Sequence, residues 1–394
     1  MKADRDPCGA RRGLLRVKAV LAAAASALLL LGAPAAHAAH TAAPAPAPPV
    51  LADGFGLTQV GTATGSATNF VITVKTAEVA QEHHIRILLP AGYADEPTQR
   101  YPVFYFLHGA SDDPANPFVA YPALTRSTAM ITVIPDGGLR GWYTNWLDQN
   151  TAAGAQNWEN FHINQVIPFI DANLRTLASR QTRAVGGLSM GGFGALHYAQ
   201  RHPDLFGQVA TFSGADDLSV DHMVMRGAVV ATLTNAGAPL CGNAATTVNA
   251  ADTGTAANAV NAVNAVNASC SLTFGPTVSS DAIFGTPYPV FDADWRWNEA
   301  DPSAHMAALA GTGIAIYTGN GNSDPSAMEF WVESAAQHAK DHLDALKLPY
   351  DYVDYGNGST WGAACHGGHE SGCWAQDLVD YVPRLEAAFA AATR

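Results

Sequence analysis

The chain has 394 residues, with 21 Lys and Arg against 34 Asp and Glu, so its formal net charge is −13 at pH 7. An acidic surface repels phosphate backbones and anionic lipid head groups, which argues against nucleic-acid binding. We also expect no integral membrane segment, because no apolar stretch is long enough to cross a bilayer comfortably.

The N-terminus has the composition of a targeting segment. A basic stretch precedes an apolar run from Ala19 to Leu31, and Ala36-His37-Ala38 is a small-residue cleavage site. We expect a signal peptide over residues 1–38 and an exported, extracellular protein, with the general secretory and twin-arginine routes both open. Residues 39–52 are rich in Ala and Pro and predict an extended linker without packing, followed by one domain over residues 53–394.

Apolar runs and helical periodicity alternate along this domain. Nearly continuous apolar runs predict strands buried on both faces, and amphipathic stretches predict helices. The predicted strands are Phe70–Val74, His84–Pro90, Tyr101–Ala110, Ala129–Gly137, Thr182–Val185, Val209–Gly214, Ile314–Gly321 and an edge strand at Tyr350–Tyr355, and the predicted helices are Trp158–Leu177, one starting near residue 190, 327–346 and Trp374–Ala390. The alternation predicts an α/β fold with a central, mostly parallel sheet and helices on both faces.

Residues 218 to about 280 lack this strong periodicity. Between Asn258 and Asn267 a three-residue repeat of Asn, Ala and Val gives the segment low complexity. We expect a loop insertion at about 240–280 above the sheet, with a lid as one possible role.

The pentapeptide Gly187-Leu188-Ser189-Met190-Gly191 stands between a predicted strand and a predicted helix. In that setting Gly-x-Ser-x-Gly forms a nucleophile elbow, which projects the serine hydroxyl at the carboxyl edge of the sheet. Both glycines are needed because Cβ atoms would collide where strand and helix cross. The motif predicts an α/β-hydrolase fold with Ser189 as nucleophile. The N–H groups of Met190 and of Ala110, which follows the strand ending in His108-Gly109, would form the oxyanion hole.

Aromatic residues are concentrated in the loop after the strand that ends at Gly137. They would either pack in the core or line an acyl pocket beside the nucleophile. These residues are Trp142, Tyr143, Trp146 and Trp158.

A serine nucleophile needs a base and an orienting acid, which follow it along the chain of an α/β-hydrolase. His197 would point away from the hydroxyl on the elbow helix, and we expect it to be structural. Three more histidines fall in helical stretches, namely His305, His338 and His342. His366 and His369 remain as candidate bases, in the loop between the last strand and the last helix.

Four cysteines follow the predicted signal peptide, and an even number in an exported protein favours disulfides. Three pairings are possible. We favour the two pairings that are local in sequence, Cys241 with Cys270 and Cys365 with Cys373, because each would close a loop rich in Gly and Asn. The rival interpretation is a metal site of Cys365, Cys373 and the histidines between them, but its spacing matches no usual zinc pattern. We therefore predict no metal and no organic cofactor.

Several motifs together resemble the esterase D superfamily, and the chain is most similar to its mycolyltransferase (antigen 85) branch of exported acyl-transfer enzymes. The resemblance covers about residues 55–390 apart from the insertion. It rests on the Ser189 pentapeptide, His108-Gly109, His202-Pro203 followed by Phe206, Ser213-Gly214 and Gly319-Asn320-Gly321.

The resemblance implies the remaining site residues. In that branch the base lies five residues before a tryptophan that opens the last helix, a spacing kept by His369 and Trp374. The acid is a glutamate early in the helix after the Gly-Asn-Gly turn, which matches Glu329. Other relatives use an aspartate directly after the strand, which leaves Asp324 as the alternative.

The chain also departs from that branch where sugar acceptors are held. The mycolyltransferases have an acidic residue in place of His108, a basic one near Ser111 and a tryptophan in place of Ser371. We therefore expect a serine carboxylesterase that transfers the acyl group to water and acts on a small-molecule or lipid ester. The alternatives are acyl transfer to a sugar or glycerol hydroxyl and a non-catalytic wall-binding protein on the same scaffold.

Overall fold

The computed structural model describes residues 47–117, 121–235, 274–290 and 294–394. Ten strands form its sheet. They are β1 Thr58–Gln59, β2 Thr64–Gly65, β3 Asn69–Lys75, β4 His83–Leu88, β5 Val103–Leu107, β6 Ile131–Pro135, β7 Arg183–Leu188, β8 Gln208–Phe212, β9 Gly313–Thr318 and β10 Asp351–Asp354.

Seven α-helices lie among the described residues, together with short 3₁₀ turns and a π-helical segment at Asn160–Val166. The helices are α1 Pro122–Arg126, α2 Ile167–Asn173, α3 Met190–Arg201, α4 Met223–Thr234, α5 Trp295–Ala300, α6 Met328–Leu346 and α7 Ser371–Ala392.

The sheet order is β1-β3-β4-β6-β5-β7-β8-β9-β10, with β2 paired to β3 outside this path. The six strands from β6 to β10 along this order run parallel, and β4 joins them antiparallel through β6. The predicted α/β fold with a mostly parallel sheet is confirmed. Because parallel strands end at one edge, the loops after β5, β7, β8 and β9 meet there.

Helices cover both faces of the sheet. On one face α1 and α7 pack against Phe104, Phe106 and Phe212. On the other face the π-helical segment and helices α2, α3 and α6 pack against Tyr105, Val185 and their neighbours. The central strands are therefore buried on both sides, which explains their unbroken apolar sequences.

The predicted helix Trp158–Leu177 was too long. The chain leaves the helix at Leu174, which has extended dihedrals of φ −121° and ψ 161°. It then runs beside Tyr101, whose N–H donates to Arg175 O and whose carbonyl accepts from Leu177 N–H. Pairing with another chain segment overrides the helical periodicity of these residues.

A helix that the sequence analysis did not predict, α4, occupies Met223–Thr234 within the stretch that lacks strong periodicity. Buried residues lie on most sides of this helix, among them Met225, Val229 and Leu233. A helix buried nearly all round lacks the one-sided apolar pattern by which helices are recognised in a sequence.

The end of the predicted linker packs, contrary to expectation. Leu51 is buried, and the N–H of Ala52 donates to the side chain of Asn173. A leucine that follows an Ala/Pro stretch has apolar surface to bury, which the stretch itself lacks. The predicted signal peptide, the Cys241–Cys270 pairing and most of the predicted insertion lie outside the described residues. Within the described ranges, no helix is both long and apolar enough to span a membrane.

Candidate active site

Ser189 lies in a strained turn between β7 and α3. Its φ of 54° and ψ of −118° are uncommon for a residue with a side chain. A Cβ on Gly187 would lie 2.4 Å from Gly191 O, and one on Gly191 would lie 2.1 Å from Leu107 O. Both glycines are therefore required by the crossing of β7, α3 and the end of β5.

His369 lies between Ser189 and Glu329. Its Nε2 is 2.9 Å from Ser189 Oγ, and its Nδ1 is 2.8 Å from Glu329 Oε2. When Nδ1–H donates to the carboxylate, Nε2 can accept the serine proton. The structure thus brings together three side chains that the sequence analysis chose as nucleophile, base and acid.

Glu329 is fully buried in the first turn of α6. Its Oε1 accepts hydrogen bonds from Ser213 Oγ at 2.7 Å and from the N–H of Gly319 at 2.9 Å. These donors fix the carboxylate and offset the cost of burying it. Asp324 has different partners: its Oδ1 accepts from the N–H and the hydroxyl of Ser326, and these bonds hold its pKa below the usual value.

A disulfide between Cys365 and Cys373 closes the loop that carries His369. The predicted pairing of these two cysteines is present, and no thiolate remains here for the rival metal site. His366 is 68% exposed, whereas the side chain of His369 is 7% exposed and its ring packs edge-on against Trp374. The loop and the first turn of α7 therefore hold His369 in place.

The two predicted oxyanion donors flank Ser189. Met190 opens α3, and N–H groups in the first turn of a helix have no acceptor within that helix. Ala110 follows β5 and lines the same cleft as Ser189. Between β5 and Ala110 lies Gly109, where an added Cβ would come within 3.5 Å of Ser189 Cβ, so this loop passes close beside the nucleophile.

Ser189 opens onto a narrow apolar cleft. Besides the loops that carry Ser189 and His369, the loop after β6 and helices α4 and α6 line it, through Trp142, Met225, Ala228, Thr232, Met328 and Val332. Trp142 has a left-handed φ of 51° and donates its indole N–H to Thr232 Oγ1.

The part of this lining that comes from α4 was not predicted, because the sequence of this buried helix has no recognisable helical period. The aromatic residues of the loop after β6 were predicted either to pack in the core or to line an acyl pocket, and the structure shows both arrangements. Trp142 lines the cleft, whereas Tyr143, Trp146 and Trp158 belong to the core.

His108 is buried and supports the turn that carries Ala110. Its Nε2 accepts the N–H of Gly137 at 2.8 Å, and its carbonyl accepts the hydroxyl of Tyr143 at 2.8 Å. Asp136 lies 3.4 Å from the same Nε2. His108 therefore ties the ends of β5 and β6 together and has no free polar atom to offer a substrate hydroxyl.

A family described as "Putative esterase" matches residues 76–385. The protein named "Esterase Rv1288" of Mycobacterium tuberculosis is 38% identical over 172 residues, which is 43% of this chain and 37% of that protein. The "MPT51/MPB51 antigen" of the same species is 27% identical over 200 residues, half of each chain. The chain thus spans half or less of the length of these relatives.

Two solved structures share the fold. The structure of Mycobacterium tuberculosis MPT51 (FbpC1) has a TM-score of 0.53 at 20% identity, over 80% of this chain and 97% of that one. A ferulic acid esterase has a TM-score of 0.51 at 18% identity, over 82% and 99%. The family match covers most of the chain and includes Ser189, Glu329 and His369. The chain therefore belongs to the esterase family, with an α/β-hydrolase fold and antigen 85-like relatives.

Proposed function

We propose that the protein is an exported serine carboxylesterase with Ser189 as nucleophile, His369 as general base and acid, and Glu329 as the orienting carboxylate. The observation that carries this proposal is the unbroken hydrogen-bonded chain from Ser189 Oγ through His369 to Glu329 at the edge of an apolar cleft. Export is inferred from the targeting composition of residues 1–38.

The first half of the reaction forms an acyl-enzyme. Ser189 Oγ attacks the ester carbonyl carbon as its proton passes to His369 Nε2. The carbonyl oxygen becomes an oxyanion that accepts hydrogen bonds from the N–H groups of Met190 and Ala110. The C–O bond of the leaving alcohol then breaks, and the alcohol takes the proton from His369.

The second half releases the acid. Water gives a proton to His369 Nε2 and attacks the acyl carbon, and the Ser189 ester bond breaks as the proton returns to Oγ. Glu329 faces an imidazolium in both halves, and its buried carboxylate stabilises that charge and keeps Nδ1 oriented. These steps need no metal or organic cofactor.

The cleft lining indicates an apolar acyl group. Its walls contribute indole, thioether and methyl groups, and such apolar linings are typical of sites that bind small molecules. Transfer to a sugar or glycerol hydroxyl is the alternative, because antigen 85-like relatives are similar in sequence. Hydrolysis is favoured because His108 is committed to Gly137 and Ser371 stands where that branch has a tryptophan.

The test combines active-site labelling with product analysis. A fluorophosphonate should label the wild type and fail to label Ser189→Ala, while Ser326→Ala, changed on an exposed loop, should label normally. An activated short-chain ester is then supplied with and without trehalose or a diacylglycerol. Free acid alone supports hydrolysis, an acylated acceptor supports transfer, and a folded wild type that neither labels nor turns over supports the wall-binding alternative.

A further inference from the structure

Asp217, His222 and His338 form a cluster outside the site described above. The Nδ1 atoms of both histidines face Asp217 Oδ2: that of His222 lies 2.7 Å from it, and that of His338 makes a second contact with the same oxygen. Each of the three residues offers a potential ligand atom within 4.8 Å of the other two. Two imidazole nitrogens thus converge on one carboxylate oxygen.

Two nitrogens and one carboxylate oxygen are ligands typical of Zn²⁺, whereas Ca²⁺ and Mg²⁺ prefer oxygen alone. Zinc binds such atoms at about 2.0–2.2 Å, so ligand atoms of a tetrahedral site lie roughly 3.3 Å apart. An ion fits after outward movements of about 1 Å or less by the imidazoles. His338 is 36% exposed, so its side chain has room to adjust.

Hydrogen bonds already orient two of the three groups from behind. His222 Nε2 lies 3.1 Å from Ser334 Oγ, and Asp217 Oδ1 accepts the N–H of Ser219 at 2.6 Å. Zinc-bound histidines usually bond an oxygen through their second nitrogen in this way. These hydrogen bonds leave His222 Nδ1 and Asp217 Oδ2 directed toward each other, where both atoms could bind one ion.

The surroundings favour a cation. The carboxylates of Asp301 and Asp221 act on His222 together with that of Asp217, so negative charge is concentrated around the cluster. The side chain of Asp217 is fully buried and that of His222 is 12% exposed. An ion would therefore enter past His338, where solvent can supply a fourth ligand.

We propose that Asp217, His222 and His338 form a zinc site completed by a water molecule. The ion would join three segments: the loop after β8, the residue preceding α4, and the middle of α6. Helix α4 lines the cleft through Met225, Ala228 and Thr232, and α6 begins with the turn that holds Glu329. Zinc would thus stabilise the walls of the cleft without taking part in acyl transfer.

The test is calorimetric titration of ZnCl₂ into the full chain, produced without a histidine tag and freed of metal by a chelator. We expect one Zn²⁺ per chain in the wild type, and a rise in Tm when zinc is added. His338→Ala should weaken binding about 100-fold or more, since loss of an outer hydrogen-bond partner alone costs about 10–100-fold. His342→Ala is the matched control, because His342 lies on the same helix beside His338 and is not among the three.

His222→Gln provides a second disruption in case His338→Ala does not fold, and circular dichroism checks both variants. Zinc binding and the Tm rise should persist in His342→Ala, whereas in the other two variants binding should be about 100-fold weaker or more and the Tm rise correspondingly smaller. If the wild type binds zinc no more tightly than folded His338→Ala and His222→Gln, the cluster is a structural ion pair and the proposal is wrong.

Discussion

Glu329 and Asp324 are close in sequence but have different partners, His369 for the first and Ser326 for the second. Removing the charge that faces the imidazolium should cost much of the transition-state stabilisation. We expect Glu329→Gln to lower kcat by roughly 10³–10⁴-fold, comparable with the loss of the orienting acid in serine proteases. Asp324→Asn should change kcat by less than about twofold, because it removes only an exposed local hydrogen bond.

Steady-state hydrolysis of an activated ester by both variants, with circular dichroism as the folding control, measures this difference. A larger loss in Asp324→Asn than in Glu329→Gln would reverse the assignment of the acid.

Individual site residues differ in how far the sequence identified them. Ser189 was identifiable because its glycine neighbours are required by a local backbone crossing. His369 and Glu329 could be chosen only through the family resemblance, because their roles depend on how loops after distant strands meet. Met225 and Thr232 were not identifiable as lining residues, since nothing local to α4 indicates which of its sides faces Ser189.

At the scale of elements, the close crossing of β7 and α3 predicts how stability responds to a methyl group added there. A methyl group on Gly191 would lie 2.1 Å from the carbonyl oxygen of Leu107, which is backbone and cannot move away cheaply. Gly191→Ala should therefore lower the free energy of unfolding by about 2–4 kcal/mol. Gly227→Ala, in α4, has nothing within 4 Å of the added methyl and should raise it by about 0.5–1 kcal/mol through helix propensity.

Urea unfolding of the two alanine variants beside the wild type tests the pair. Similar changes in both would mean that the crossing is looser than the structure has it.

The disulfide in the loop between β10 and α7 is the basis of a second prediction at this scale. The Cys365–Cys373 disulfide spans a sequence separation of 8 residues around His369. Removing it should cost about 2–3 kcal/mol of stability by the loop-entropy relation. Replacing both cysteines by serine should also lower kcat more than it raises KM, because His369 loses its restraint while the cleft walls stay in place.

Kinetics and urea unfolding of the double variant, compared with the wild type with and without a reducing agent, give the answer. Unchanged kcat in the folded double variant would show that α7 alone positions the histidine.

Strands were predictable from the sequence where both of their faces are buried. Central strands such as β5 read as unbroken apolar runs because both faces are covered, and the order of strands and helices then gave the fold class. The end of α2 and the presence of α4 were not predictable, because pairing with Tyr101 and burial on most sides depend on the tertiary structure.

At the scale of the whole molecule, an acidic chain has to bury some carboxylates, and it does so in two opposite ways. Burial opposes ionisation of Asp136, but its contacts with the imidazoles of His108 and His83 outweigh burial and hold its pKa well below the usual value. Burial raises the pKa of Asp377 well above its usual value against the opposing hydrogen bond from the Trp361 indole. Asp136 therefore stabilises the fold in its ionised form. Asp377 is buried in its protonated, neutral form.

These two groups should give opposite pH dependences of stability. A carboxyl whose folded pKa is lowered contributes stability above its unfolded pKa of about 3.9 and loses it as pH falls. Asp136→Asn should therefore destabilise the protein by about 2–3 kcal/mol at pH 7, with the deficit shrinking below about pH 4.

A carboxyl whose folded pKa is raised has the reverse effect. Above about pH 3.9 the unfolded chain releases the Asp377 proton while the folded protein retains it, so rising pH costs stability until the folded pKa is passed. Asp377→Asn removes that cost, because the amide does not ionise. Urea unfolding from pH 4 to pH 8 should therefore show Asp377→Asn gaining stability over the wild type as pH rises, while the deficit of Asp136→Asn stays nearly constant over this range and shrinks only at lower pH. A parallel pH dependence in wild type and Asp377→Asn would mean that Asp377 ionises in the folded protein as readily as in the unfolded chain.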